Sequence, residues 1–345
     1  AQVSTLATPV RPTHSGSVEA IVWLLSRELT RLGHEVTVFG AAGSQVSGSF
    51  VPTLPGPYSA DGAPDDWHLC EWINLCKAVE ESGRFDLIHS HAYLWGIPLE
   101  PLARSPMLHT LHILPSEDEA RLRSMWPHAQ LTSISQFQWS AFPQFPPAPV
   151  IYHAVDREQF PLVESPGDYL VFLGRFTPGK GPLAAIEAAR EAGMRLLLAG
   201  PRNRYYEEKV APLVDGVRVE YASSITGKAR ADLLGGAGAL LYPISEPEPF
   251  GLVMPEAMMC GTPVVATRLG AVPEIVEEGI TGYCADSPGD LPVQVQRARA
   301  LDRRLVRARA EERFSGERMA SEYLQVYEAL VTRPSPFVAR QGSHR

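Results

Sequence analysis

Two successive runs of short apolar segments alternating with longer amphipathic ones constrain this 345-residue chain more than any other feature. In the first run, strands are predicted at residues 2–6, 35–39, 86–89, 107–111, 131–134 and 149–152. Helices are predicted at 17–32, 67–81 and 117–125, with Gly33 as the C-cap of the first. Pro143-Gln144-Phe145-Pro146-Pro147-Ala148-Pro149 then breaks the alternation. It resumes with strands at 169–173, 195–199, 218–221, 239–242 and 264–266, and helices near 182–192, 205–214, 228–235 and 255–259. Strands alternating with helices imply parallel, doubly wound α/β sheets. Two such runs make two domains, 1–160 and 161–314, with the boundary at about 155–167. Residues 315–331 read as a last helix and 332–345 as a loose tail.

Composition narrows the function classes. Apolar residues make up 45% of the chain, enough for two cores. No apolar run reaches the roughly 18 residues that a membrane span requires. The first residues lack a basic region followed by a long apolar one, so no secretion signal is expected. Cys70, Cys76, Cys260 and Cys284 fit neither zinc nor redox spacing, and a reducing cytoplasm is expected. The net charge is −8, and residues 1–160 carry most of it, with 9 Lys/Arg against 16 Asp/Glu. An acidic surface opposes binding to nucleic acid or anionic lipid. Arg297, Arg299, Arg303, Arg304, Arg307, Arg309 and Arg313 read as a solvated helix face among interspersed acids.

Chemistry concentrates in two motifs. Glu248-Pro249-Phe250-Gly251-Leu252-Val253-Met254-Pro255-Glu256 sets two carboxylates eight residues apart around a glycine turn and a helix start. A carboxylate accepts two hydroxyl hydrogen bonds, and amides at a helix start can face a phosphate. Gly174-Arg175-Phe176-Thr177-Pro178-Gly179-Lys180-Gly181 follows a predicted strand and carries two cations. In this order and separation, the two motifs resemble those of the retaining nucleotide-sugar glycosyltransferases of the GT-B fold, family 4.

The resemblance spans about residues 2–331 and is strongest over 169–283. It implies two Rossmann-like domains facing across a cleft, with the last helix packed back onto the first. It implies that Arg175 and Lys180 contact the donor diphosphate, Glu248 the sugar and Glu256 the ribose. Glu246 competes with Glu248, whose spacing and following Phe250-Gly251 favour it. The amides of Phe250, Gly251 and Leu252 would face the β-phosphate or the sugar. Gly174 and Gly200 would lie near the nucleotide, although a strand-end glycine also makes a simple turn, and Ile225 near the base. UDP is the expected carrier.

The first domain would contribute Gly16 and Ser17 at its first helix, where relatives carry Gly-Gly-x-Glu. Their amides would reach the phosphate on domain closure. Here Ser17 replaces the second glycine, and Glu19 reads either as part of that motif or as a first-turn acid. Thr110-Leu111-His112 matches the family's Thr-x-His, which puts His112 near the donor sugar through its side chain or its carbonyl. His89, His91 and His109 read as structural, and 150–156 as a hinge with His153-Ala154 in place of Asn-Gly. Glu117-Asp118-Glu119 reads as helix-start charge.

No Asp-x-Asp occurs, so no metal and no other cofactor is expected; fixed cations would take the metal's role. The expected partners are a nucleotide-sugar donor and a hydroxyl acceptor, without nucleic acid or a transmembrane segment. Relatives that act on membrane lipids often have a basic first domain; this acidic one points to a soluble, uncharged or cationic acceptor. An epimerase or phosphorylase on the same fold, and a non-catalytic binding protein, are the alternatives. Sequence motifs do not specify the sugar, the acceptor or the oligomeric state.

Overall fold

Both sheets of the computed structural model are parallel throughout, and both repeat one strand order. The structure describes residues 1–12, 17–60, 64, 66–141, 143 and 148–332. The chain divides into two units, Ala1–His153 with Gly316–Arg345, and Ala154–Ser315.

The first unit runs β1 (Gln2–Val3), α1 (Ser17–Arg31), β2 (Thr37–Ala41), β3 (Ser49–Leu54), α2 (Trp67–Glu80), β4 (Ile88–Ser90), β5 (Met107–Thr110), α3 (Glu117–Arg123), β6 (Gln130–Thr132) and α4 (Gln136–Ser140). Its sheet order is β3-β2-β1-β4-β5-β6. The chain order therefore reverses between β1 and β4, where the carboxyl ends leave a crevice in doubly wound folds. Strand β1 is shorter than the predicted 2–6 because its exit turns to side chains. The Leu6 amide donates to Glu71 Oε1 at 2.9 Å, and Asn74 Nδ2 donates to the Ser4 carbonyl at 2.7 Å. Strand β3 lies within a stretch that reads as loop, since Gly48 and Pro52 punctuate it; proline is tolerated there because β3 is an edge strand. The strand predicted at 149–152 reduces to one bridge between Ser133 and Val150.

The second unit runs β7 (Tyr169–Leu173), α5 (Pro182–Glu191), β8 (Arg195–Ala199), β9 (Val219–Tyr221), α6 (Gly227–Gly235), β10 (Ala239–Tyr242), α7 (Val253–Met259), β11 (Val264–Thr267), α8 (Val272–Ile275), β12 (Gly282–Ala285), α9 (Leu291–Ala298) and α10 (Arg303–Phe314). The last helix, α11 (Gly316–Val331), belongs to the first unit. The second sheet runs β12-β11-β10-β7-β8-β9, so its reversal falls between β7 and β10. Strand β12 carries no clear sequence signal, because Gly282 opens it. The predicted helix at 205–214 is a π-helical turn over Tyr206–Val210 and a 3-10 turn over Ala211–Leu213, which Pro212 tightens. Leu170, Phe172, Leu196, Leu198, Ala239 and Leu241 form the core under α5 and α9. Burying one such leucine side chain fully is worth about 1.5–3 kcal/mol.

The change of unit at His153–Ala154 lies before the predicted boundary. Residues after it are tied to the second unit: Val155 donates to the Phe314 carbonyl at 2.9 Å and Val163 to that of Cys260 at 3.0 Å. Arg297, Arg299 and Arg304 are exposed as the solvated-face reading expects, but three arginines of α10 correct it. Arg303 is buried on α10 and donates to the carbonyls of Val163, Gly235 and Ala237 and to Thr262. Arg307 reaches the Phe160 and Met259 carbonyls, and Arg313 those of Glu274 and Ile275. Among the described residues, no helix is long and apolar enough to cross a membrane.

Candidate active site

Strand β7 ends at Leu173, and the chain then turns through Gly174, Arg175 and Phe176 into a single 3-10 turn, Pro178–Lys180. Gly181 closes it at φ +70°, and a Cβ there would collide with the Pro243 carbonyl oxygen, so only glycine lets the loop pass this close to the end of β10. Ser245 fastens the approach, its amide donating to the Gly179 carbonyl at 2.9 Å and its hydroxyl to that of Pro178 at 3.1 Å. The loops after β7 and β10 are thereby held together at the topological reversal.

That arrangement brings Lys180 and Glu248 into contact. Lys180 Nζ pairs with Glu248 Oε1, while the Tyr242 hydroxyl donates to Oε2. Both carboxylate oxygens of Glu248 are therefore occupied, and the Lys180 ammonium also lies 5.7 Å from the Tyr242 ring centre. Burial and the neighbouring Glu248 charge hold the Tyr242 phenol well above its ordinary range, so it stays a donor. Gly251, at φ +87°, leaves room for this hydroxyl; a Cβ would sit 2.6 Å from it. Phe250 is buried against Phe314, edge to face at 6.0 Å, which anchors the turn before α7. The amides of Gly251 and Leu252 have no backbone acceptor among the described residues.

Glu256 lies in the first turn of α7, partly buried, beside Arg230 of α6. Burial raises its carboxyl above the ordinary range, and the Arg230 charge and hydrogen bonds pull it back. Arg175 is exposed, and its side chain has no ion pair among the described residues. Gly200 donates to the Ser223 carbonyl at 3.1 Å, and Gly174 to that of Ala199 at 3.0 Å. Ile225 is half-buried just before α6. Glu246 lies against Gly179, but it is Glu248 that meets Lys180. Sequence reasoning missed Tyr242 and Arg230: the first looks like a strand-end aromatic and the second like helix-surface charge.

In the first unit, Gly16 lies outside the described residues, and Ser17 is the exposed first residue of α1. Glu19 is buried and accepts from Thr5 Oγ1 at 2.9 Å and the Thr8 amide at 3.1 Å, so it holds the exit of β1. His112 follows β5 with its imidazole turned inward. Its Nε2 lies 2.9 Å from His91 Nδ1 and its Nδ1 3.2 Å from His153 Nε2. Gln2 fixes the tautomers. Its amide nitrogen donates to the Tyr327 hydroxyl at 3.1 Å, so its oxygen accepts from His91 Nε2 at 2.9 Å. His91 Nδ1 then accepts from His112, and His112 Nδ1 from His153. Burial holds the His112 pKa at about 3 and those of His89, His91 and His153 well below the usual range. With both ring nitrogens engaged, the backbone amide and carbonyl are the polar groups His112 has left to offer a ligand among the described residues. Among the described residues, no group of three or more His, Cys, Asp or Glu side chains could hold a metal ion.

Two six-stranded parallel sheets in this order, each with flanking helices, define the class: a two-domain, Rossmann-like α/β protein of the GT-B fold. AviGT4, a glycosyltransferase involved in avilamycin A biosynthesis, has the same fold at a TM-score of 0.75 and 25% identity, covering 96% of this chain and 98% of its own. Anabaena Alr3699/HepE, solved with UDP and glucose, matches at a TM-score of 0.72 and 20% identity over 95% of this chain and 100% of its own. Residues 18–159 match Glycosyltransferase Family 4, and residues 156–301 match Glycosyl transferases group 1. A D-inositol 3-phosphate glycosyltransferase of Mycolicibacterium smegmatis is 26% identical over 95% of this chain and 91% of its own. The chain belongs to the family 4 glycosyltransferases.

Proposed function

We propose that the chain moves a sugar from UDP to a hydroxyl of a small soluble acceptor, retaining the anomeric configuration without a metal ion. One observation carries this reading. Lys180, Glu248 and Tyr242 are joined at the β7–β10 reversal, on loops that a glycine and two Ser245 hydrogen bonds hold together. The exposed Arg175 opens the first of these loops. UDP is carried over from the Anabaena neighbour, which was solved with it.

Bound donor would draw Lys180 onto the diphosphate and release Glu248 Oε1 to the sugar hydroxyls. The anomeric carbon–oxygen bond breaks, and its electrons leave with the β-phosphate. The acceptor oxygen bonds to the anomeric carbon from the same face, and its proton passes to a leaving phosphate oxygen. Charge grows on the diphosphate, where Arg175 and Lys180 would do a metal's work. Tyr242 would keep Glu248 aimed while Lys180 exchanges partners.

The acceptor we favour is uncharged or cationic. Residues 1–160 are acidic overall, and several first-unit cations are already engaged: Arg27 and Arg31 with Glu28, Arg84 with Glu81, and Arg121 with Asp118. This differs from the anionic D-inositol 3-phosphate in the name of the mycobacterial relative. All four cysteines are free thiols, which suits a reducing cytoplasm.

The test is product analysis with UDP-glucose and UDP-N-acetylglucosamine against neutral and amine-bearing polyols, with and without EDTA. UDP release with an acceptor-linked product of retained configuration, unaffected by chelator, is expected. An inverted product, or loss of turnover with EDTA, overturns the corresponding part of the mechanism. A changed nucleotide sugar without acceptor makes the protein an epimerase, and UDP binding without turnover makes it a binding protein.

A further inference from the structure

Both Nε and Nη2 of Arg230 converge on a single oxygen of Glu256, Oε2, the Nε contact at 2.9 Å. Arginine ordinarily meets a carboxylate fork to fork, one nitrogen to each oxygen. Here the second oxygen, Oε1, has no partner among the described residues. The arginine is itself confined: its side chain is 24% exposed and that of Glu256 14%. Neighbouring charge on α6 does not compete, since Lys228 is spent on Asp232 one turn on, at 2.6 and 2.7 Å. Glu248 presents the opposite case, with each oxygen already occupied.

Resting on the donor reading above, the geometry points to Arg230 as a positioning residue that fixes Glu256 by one oxygen and reserves the other for the ribose diol. An ionised carboxylate oxygen has lone pairs for two hydroxyls, as a vicinal diol requires. Held from one side, the carboxylate cannot rotate away from the nucleotide. The Arg230 charge also pulls this carboxyl back down against burial, and a protonated carboxyl would offer a donor where the diol needs acceptors. Without Arg230, burial alone acts on Glu256, its carboxyl titrates higher, and raising the pH restores the missing charge.

The experiment is a titration of UDP and 2′-deoxy-UDP into the full-length wild-type protein, Arg230→Ala, Arg230→Met and Arg230→Lys, across about pH 6 to 9. Folding is checked by circular dichroism, and Arg230→Met keeps the apolar stem should alanine loosen α6. Wild type should show only the pH dependence of the ligand's own terminal phosphate, which every variant shares, and prefer UDP to the 2′-deoxy form. Relative to wild type at the same pH, both uncharged variants should bind UDP about 10- to 100-fold more weakly at the acid end and close that gap as pH rises. Their preference for the 2′-hydroxyl should shrink, and lysine should restore part of both. A loss of equal size at every pH, or no loss in folded variants, overturns the role of Arg230 while leaving the donor reading standing. Failure of wild type to bind UDP, ADP or GDP overturns the donor reading and this inference with it.

Discussion

The two sheets share a strand order but are built from opposite materials. In the second unit, the central strands are apolar on both faces, with Leu170, Leu196, Leu198, Leu240 and Val265 fully buried. That is the expected composition of a parallel sheet covered on both sides. In the first unit, the corresponding strands and their exits bury Gln2, Ser4, His89, Ser90, His91, His109, Thr110 and Thr132. Several of them bond to one another: Gln2 to His91, and His89 and Thr132 to Thr110, while His109 meets Glu100. His89 lies 2.7 Å from both Tyr327 Oη and Thr110 Oγ1, and Thr110 lies 2.6 Å from Thr132 and 3.0 Å from Tyr323. At the rim of the second sheet, charges stand in pairs that water still reaches. A buried polar lattice fixes orientation only while every member is matched, whereas a rim ion pair can exchange partners with a ligand.

Acid should separate the two units most. His89, His91, His112 and His153 stay neutral when folded but protonate near pH 6.5 when unfolded. Their stabilisation is present above that pH and is lost as pH falls. Glu19 and Glu71, raised by burial, Glu71 to about 8, act the other way, since the folded state binds their protons first. The four imidazoles outweigh the two carboxyls, so the first unit should lose stability as pH falls from about 6 to 5. Residues 154–315 hold no histidine, and the raised Glu256 favours folding on acidification. All six tryptophans precede Ala154, so their fluorescence reports the first unit, and amide exchange over 169–314 reports the second. A matched decline in both signals would break the contrast.

Lys180→Ala should lower turnover about 100- to 1000-fold. The urea midpoint should stay within about 1 kcal/mol of wild type, because the ion pair is partly solvated. Near-normal turnover would remove the diphosphate role and, with it, the idea that the second rim is built for exchange.

Tyr327→Phe should have the smallest effect. It leaves Gln2 Nε2 and His89 Nδ1 without their hydroxyl and should cost about 1–3 kcal/mol, read from the tryptophan transition. A neutral result would mean that the lattice tolerates gaps and is not what orients His112.

The fold class was legible in the sequence because alternation of short and long apolar periods leaves few topologies open. The meeting of Lys180 with Glu248 was legible only through motif order, since the two positions share no local period. What escaped was polar pairing across distance. Arg230 reaches Glu256 from another helix, and an isolated arginine there looks like ordinary surface. The α10 arginines looked solvated because interspersed acids mimic an exposed face, yet Arg303, Arg307 and Arg313 turn to backbone carbonyls. His112 matched its motif, but the imidazoles that occupy it come from two other segments, and no spacing relates them.

The membership of α11 in the first unit sets an order of events during synthesis. Residues 1–153 leave the ribosome first, but Tyr323 and Tyr327, which satisfy Gln2, His89 and Thr110, are made only after all of the second unit. Nascent residues 1–153 must wait, their imidazoles open to water, while the second unit is translated and free to fold as a domain on its own. Stop codons placed after residue 315 should therefore damage residues 1–153 more than residues 154–315.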